Sequence, residues 1–328
     1  MFVKDISRNR ISIPVSIFAS LILTVLSVWF LHTFLPATQP DNPVWNFVEL
    51  WQLTGRQGII INYFITLAVG WGIFKTNEAF SLSHFRSYLP FLFYLLLQTT
   101  NPPLQFVSEG TFTALFGLSA IILLFASYQR TAASEQGFWV GLLLGTLSLC
   151  WTKALLYVPL FVLGFWLMRS SKFKVLLAVI LGLLTPFWLQ FSWMFFTGDI
   201  TPFKNQFTEL AHFDLYAIAQ ISLPLQVNLA ITLLLGMISG SYLLVTNLRE
   251  KVRTQACFNF LILLSILSTV LCIADTDNLT GHLTFFYITI AFLASNIFLK
   301  VQTKLSNFLF LLIIFAYLTA YAYNLWII

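Results

Sequence analysis

The sequence predicts an all-α fold, a polytopic bundle of transmembrane helices that forms one integral membrane domain over residues 1–328. Of its residues 59% are apolar and only 9% are charged, whereas about a quarter of a soluble domain is charged. Apolar runs near the ~20 residues that cross the ~30 Å hydrocarbon layer recur along the whole chain. Phe occurs 35 times and Trp 10 times, an excess that suits surfaces in contact with lipid.

The apolar runs predict about eleven spans, with ten to twelve as the range. The spans are 13–35, 58–74, 87–101, 110–128, 137–150, 154–168, 175–196, 225–246, 257–274, 283–299 and 306–328, of which the third, fifth and sixth are short. The fifth and sixth are one apolar stretch broken only at 150–153, so they form either a tight hairpin or one long kinked helix. The first run is too long for a signal peptide and lacks its cleavage site, which predicts an uncleaved anchor.

The distribution of charge predicts a cytoplasmic N-terminus. With this orientation 14 of the 17 Lys and Arg residues fall on the cytoplasmic side, as the positive-inside rule requires. Eight of the twelve carboxylates fall on the outer side. A single helix through 150–153 would invert every later segment, so the charge bias favours the hairpin.

Two longer segments between spans, near 36–57 and 197–224, are both predicted on the outer face. Asn42-Pro43 is typical of a helix start, and the apolar residues that follow it recur at helical spacing. Thr201-Pro202 begins a similar amphipathic pattern, which ends before Pro224. Each segment therefore predicts a short helix lying in the membrane interface.

The sequence also excludes several classes of function. The basic residues fall in short clusters and form no stripe, which argues against a nucleic-acid partner. Nucleotide-binding loops, zinc-protease pairs and serine-hydrolase elbows are missing from the sequence. We expect the three cysteines to be buried like small apolar side chains. The four histidines are scattered along the sequence, so we expect structural or solvated roles for them rather than a metal site.

Three cations are exceptions to the charge rule and lie on the predicted outer face: Arg56, Lys153 and Lys204. Lys153 is the most informative, since a charge in a very short turn between apolar helices is costly unless it is paired or reaches water. It either extends to the outer interface or binds a phosphate or carboxylate at an outward-facing cavity. A lipid-linked phosphate requires such cations.

Asp41 and Glu109 are the candidate catalytic acids, because each lies at an outer end of a span. Either carboxylate caps the helix that follows it, or the two bind a divalent metal or act as a general base. Asp275 and Asp277 are spaced like metal ligands, although a solvated turn is the commoner explanation of that pattern.

The stretch from Gly137 to Arg169 contains a glycine-rich helix, Thr152-Lys153, an apolar helix and a basic end. This pattern resembles multi-pass glycosyltransferases of the C-type fold, which use polyprenyl-phosphate sugars. The resemblance implies that Asp41 is the acid of the first outer loop, that Glu109 is the second acid and that Lys153 occupies the Thr-Lys position of these enzymes. It also makes a divalent metal a possible cofactor.

The chain departs from that family in lacking a paired Asp-Glu in the first loop and a large outer domain. Residues 137–198, including LGLLTPFWLQFSWMFFTGD, are more similar to an uncharacterised family of Bacteroidota multi-pass inner-membrane proteins of about this length. That resemblance implies a place in the bacterial inner membrane and no particular reaction.

Three hypotheses follow. The first is a glycosyltransferase-like protein that handles lipid-linked envelope glycan at the outer face. The second is a non-catalytic scaffold or partner subunit of an envelope complex, and the third is a transporter or flippase, for which few ionisable groups are visible near the bilayer centre. The sequence leaves open whether the chain is an enzyme, and it names no protein partner.

Overall fold

A computed structural model describes residues 9, 11–30, 56–83, 86–130, 132–170, 172–198, 201–210, 222–246, 250–301 and 303–327. Regular structure in these ranges is entirely helical, which confirms the predicted fold class. The helices are α1 Ser12–Phe30, α2 Arg56–Ala79, α3 Leu89–Thr99, α4 Glu109–Ala126, α5 Ser134–Cys150, α6 Val158–Leu167, α7 Phe173–Thr197, α8 Thr201–Glu209, α9 Leu223–Thr246, α10 Val252–Ala274, α11 Leu279–Lys300 and α12 Lys304–Ile327. A 3-10 helix, Pro102–Gln105, follows α3, and another, Thr152–Tyr157, precedes α6.

Each of the eleven predicted spans coincides with one of these helices. Eight helices in the described part of the chain have the length and hydropathy to cross a membrane: α1, α2, α4, α7, α9, α10, α11 and α12. The three spans predicted to be short correspond to α3, α5 and α6. Helix α8 confirms that the second predicted interfacial segment begins with a helix, and its place in the interface remains a prediction. The first such segment, 36–57, falls outside the described residues except for its last two positions.

The break at 150–153 is a hairpin. Trp151 has an extended backbone (φ −154°, ψ 118°) that ends α5. The end of α6 returns to the start of α5, since the N–H of Gln129 donates to the carbonyl of Met168 at 2.9 Å. Ser127 and Ser170 hydroxyls also lie 3.2 Å apart. The structure therefore confirms the alternative that the charge bias favoured.

Helices α5 and α7 run parallel to each other, because the one span between them in the chain, α6, runs in the opposite direction. Gly137 lies against Val175 and Gly145 lies against Leu183, so contacts on both helices advance by the same number of residues. A Cβ at Gly145 would lie 2.7 Å from the carbonyl oxygen of Leu183. Small residues four apart permit such close backbone approach, which is how helices associate within lipid.

The two ends of the bundle separate the two predicted sides of the membrane. At one end the Asn296 amide donates to the carbonyl of Leu82 at 2.9 Å, and Lys300 pairs with Glu250 at 2.6 Å. Leu82, Glu250 and Lys300 belong to predicted cytoplasmic segments, and Asn296 lies near the end of the span that leads to one of them. The predicted outer segments 101–109, 150–153 and 275–278 meet at the opposite end, as described below. Which end faces the cytoplasm remains a prediction from the charge bias.

Helix α11 is the centre of the bundle. In its membrane-spanning window 89% of the residues are buried, more than in any other described span, and it contacts α3, α4, α9 and α10. Its first turn follows the short connection from α10 at the outer end. Asp275 and Asn278 in that connection are consequently enclosed by neighbouring helices.

Candidate functional site

Three segments at the outer end of the bundle form a buried polar cluster: the start of α4, the turn between α5 and α6, and the connection from α10 to α11. We call it the outer ionic cluster and define it by Glu109, Lys153, Tyr157, Asp275 and His282. All five side chains lie in buried residues. The chain reaches these positions because α5 ends at the extended Trp151 and α10 ends at Asp275.

Lys153 and Asp275 form the central ion pair. The Lys153 Nζ lies 2.6 Å from Asp275 Oδ1, and the two side chains are only 5% and 1% exposed. At this depth the ammonium does not extend to the outer interface, so that alternative for Lys153 was wrong. Burial of either charge alone would be strongly unfavourable, and pairing offsets much of the cost.

The second oxygen of Asp275 organises the start of α11. His282 Nε2 lies 3.1 Å from Asp275 Oδ2, and the Asn278 amide donates to the same oxygen at 3.2 Å. On the other side of the imidazole, His282 Nδ1 lies 2.9 Å from the hydroxyl of Tyr157. A continuous chain of polar contacts thus joins Tyr157, His282, Asp275 and Lys153.

This environment keeps Asp275 ionised. Burial alone would raise the pKa of its carboxyl, but hydrogen bonds from His282 and Lys153, together with the positive charge of Lys153, lower that pKa to about 2. Asp275 is therefore a carboxylate at neutral pH.

Glu109 joins the cluster through the same segment of the chain. The Thr280 hydroxyl donates to Glu109 Oε2 at 2.6 Å. Next to it, a Cβ at Gly110 would lie 2.9 Å from the carbonyl oxygen of Thr280, so the start of α4 packs directly on the start of α11. Glu109 and Lys153 consequently both bond to residues within 275–280.

Trp151 closes the cluster. Its ring lies edge-on to the imidazole of His282 at 4.8 Å between centroids, and it packs against Gly281, where a Cβ would approach the indole to 2.8 Å. The side chain is fully buried, yet its Nε1 has no hydrogen-bond acceptor among the described residues. Buried polar atoms without a partner are rare and call for an explanation such as a bound ligand or water.

The other predicted site residues have different outcomes. Asp41 lies outside the described residues, and Arg56 begins α2 with a side chain that is not described. Lys204 is exposed on the short helix α8, which contacts the turn Thr152–Tyr157. The structure therefore brings together Glu109 and Lys153. Their roles in catalysis and in phosphate binding remain predictions.

Asp275 and Asp277 do not form a metal-binding pair. Asp277 is exposed, as the solvated-turn alternative requires, whereas Asp275 is buried and that alternative was wrong for it. Among the described residues, no group of three or more His, Cys, Asp or Glu side chains has an arrangement that could hold a metal ion. The described part of the cluster accordingly does not fit a divalent metal.

Sequence analysis missed the partners of Asp275 and Glu109. His282 is buried rather than solvated, and its link to Asp275 and Tyr157 was not foreseen. A visible signal was the concentration of polar residues at the start of an otherwise apolar helix, in Asp275, Asn278, Thr280 and His282.

Comparisons of the chain with protein-family models, curated proteins and solved structures find no match.

Proposed function

We propose that this chain is a glycosyltransferase-like protein of the bacterial inner membrane, which handles a polyprenyl-phosphate-linked sugar of the cell envelope at the outer end of the bundle. The observation that supports the proposal is the meeting of Glu109 and Lys153. Both stood out in the sequence as candidates for transfer from a phosphate leaving group, and both bond to the segment 275–280.

Transfer of a sugar from a phosphate needs an acid–base group and a positive charge. An acceptor hydroxyl attacks the anomeric carbon, so a C–O bond to the acceptor forms while the bond from that carbon to the phosphate oxygen breaks. The electron pair leaves with the polyprenyl phosphate, and the hydroxyl proton passes to a carboxylate. We assign the proton acceptor to Glu109, with Asp41 as the second acid.

We assign to Lys153 the stabilisation of the negative charge on the leaving phosphate. Its ammonium is fixed in place by Asp275 at 2.6 Å, and charge held rigidly in a site that excludes water stabilises a developing anion strongly. Arg56 and Lys204 would bind the same phosphate nearer the interface. The indole N–H of Trp151, which has no acceptor among the described residues, would donate to a substrate oxygen.

The test uses a strain that lacks this chain and is complemented with variants, with lipid-linked and envelope glycans measured by mass spectrometry. Glu109→Gln and Asp41→Asn should each abolish the glycan product at unchanged protein level. Glu135→Gln is the matched control, because Glu135 is exposed at the start of α5, at the other end of the bundle. Normal glycan in both site variants would overturn the proposal.

One observation favours a second candidate, a non-catalytic scaffold or partner subunit of an envelope complex. The charge of Lys153 is already compensated by a buried carboxylate, and such a cluster could serve only to fix how α6, α10 and α11 meet. This candidate requires that removal of the chain disrupt an envelope complex while Glu109→Gln leaves the complex and its glycan intact. The complementation experiment therefore separates the two candidates.

A further inference from the structure

A long apolar groove lies between α1, α3 and α12, away from the outer ionic cluster. It encloses about 520 Å³ and is lined by Ala19 and Leu23 of α1 and by Leu92 and Leu96 of α3. This volume lies within the roughly 300–1,000 Å³ of typical ligand pockets. From Ile11 to Leu23 the α1 wall is about 18 Å long at 1.5 Å per residue, more than half of the ~30 Å hydrocarbon layer.

A small polar pocket lies beside the groove at the outer end of α3. Thr99 borders both, and the pocket is further lined by Thr24, Asn62, Thr66 and Gln98. Its volume is about 10 Å³, close to the minimum that holds one water molecule. The pocket therefore suits a group of the size of a hydroxyl and excludes a phosphate or a sugar ring.

Gln98 gives the pocket a specific preference. Its side chain is 2% exposed, and its Nε2 donates to the carbonyl of Leu104 at 3.2 Å. Its Oε1 has no hydrogen-bond donor among the described residues. Leaving such an acceptor unpaired is costly, so a donor supplied by a ligand would be stabilising.

The described lining residues of both cavities are uncharged. An anionic head group would find no charge partner among them, whereas an uncharged hydroxyl would pair with Gln98. Gln105 also lines the pocket, and its Oε1 likewise has no hydrogen-bond donor among the described residues. The hydrocarbon groove and these unpaired acceptors beside it match the two parts of a neutral amphiphile.

We propose that the groove binds the hydrocarbon chain of an uncharged lipid whose hydroxyl group donates a hydrogen bond to Gln98 Oε1. None of the described lining residues belongs to the outer ionic cluster. The site is thus independent of the proposed transfer reaction, and the lipid would serve as a resident ligand between α1 and the remainder of the bundle.

The test compares two probes with the same chain, monoolein and methyl oleate, which differ in that only monoolein has hydroxyl donors. The full-length protein in phosphatidylglycerol nanodiscs is titrated with each, and bound probe is counted by native mass spectrometry. Monoolein should bind about fivefold more tightly, the effect of one net hydrogen bond of about 1 kcal/mol. Equal binding of the two probes would overturn the assignment of the head group.

Variants separate the two parts of the site. Gln98→Leu should remove the preference for monoolein while methyl oleate still binds. Ala19→Trp should fill the groove and abolish binding of both probes, with Ala19→Leu as a smaller filler should the tryptophan reduce the yield of folded protein. Phe18→Trp is the matched control, since Phe18 is 66% exposed on the same helix and is not part of the groove wall. Undiminished binding in a folded Ala19 variant would overturn the proposal.

Discussion

A buried ion pair at the outer end of the bundle differs in character from an exposed ion pair at the other end. At the outer end Lys153 and Asp275 lie 2.6 Å apart with side chains that are 5% and 1% exposed. At the predicted cytoplasmic end Lys75 and Glu78 lie 3.2 Å apart with side chains that are 53% and 37% exposed. Both are Lys–carboxylate pairs, so the comparison isolates the effect of burial.

Burial changes what each pair contributes. An exposed pair gains little, about 0–1 kcal/mol, because water and salt screen it. A buried pair is costly to assemble, and removal of one partner leaves the other charge without compensation at a cost of about 3–5 kcal/mol. The exposed Lys75–Glu78 pair can therefore be altered at little cost, whereas the Lys153–Asp275 pair must keep both of its members.

The largest effect is expected from Lys153→Met, which retains the apolar stem and removes the charge. Asp275 would remain a buried carboxylate, with only His282 and Asn278 as polar partners in the contacts described above. We expect the free energy of unfolding to fall by about 3–5 kcal/mol. Equilibrium unfolding in mixed micelles with increasing dodecyl sulfate measures it.

The control for this prediction is the double variant Lys153→Met with Asp275→Asn. An amide at 275 carries no charge, so it should recover much of the lost stability, and the two substitutions should be strongly non-additive. A loss below about 1 kcal/mol in the single variant would contradict the view that this pair differs from exposed pairs.

A smaller effect should appear when acid removes the charge of Asp275. Its pKa is about 2 in the folded chain against an ordinary value of 3.8, so the stabilisation is complete above about pH 4 and is lost as pH falls through about 2. The shift corresponds to a loss of order 2 kcal/mol. To check this, the free energy of unfolding of the wild type and of Asp275→Asn is measured from pH 5 to pH 2. The difference in free energy between the two proteins should change across this window. A constant difference would contradict the assignment of this pH dependence to Asp275.

The sequence was sufficient to predict the spans, because hydropathy and charge bias are properties of short stretches of chain. The same local reasoning identified Glu109 and Lys153, since a charge at the end of an apolar run is visible without any contact. The same reasoning favoured the hairpin at 150–153, because one continuous helix there would move every later loop to the other side of the membrane.

Contacts between distant segments were not predictable in this way. Lys153 and Asp275 are separated by 122 positions, and Glu109 and Thr280 by 171. No local pattern links them. The glycines at 137, 141 and 145 did carry a signal in their four-residue spacing, but their partner helix α7 is fixed only by the packed structure.

The smallest effect is expected from Lys75→Met at the cytoplasmic end. Glu78 keeps a second partner, since Arg86 Nε lies 3.3 Å from its Oε1, and all three side chains are open to solvent. The free energy of unfolding should change by less than about 1 kcal/mol, and higher salt should make the change smaller still. The same micelle titration, run at low and at high salt beside Lys153→Met, measures both ends of the bundle. A salt-insensitive loss at Lys75 that equals the loss at Lys153 would mean that burial does not separate the two pairs.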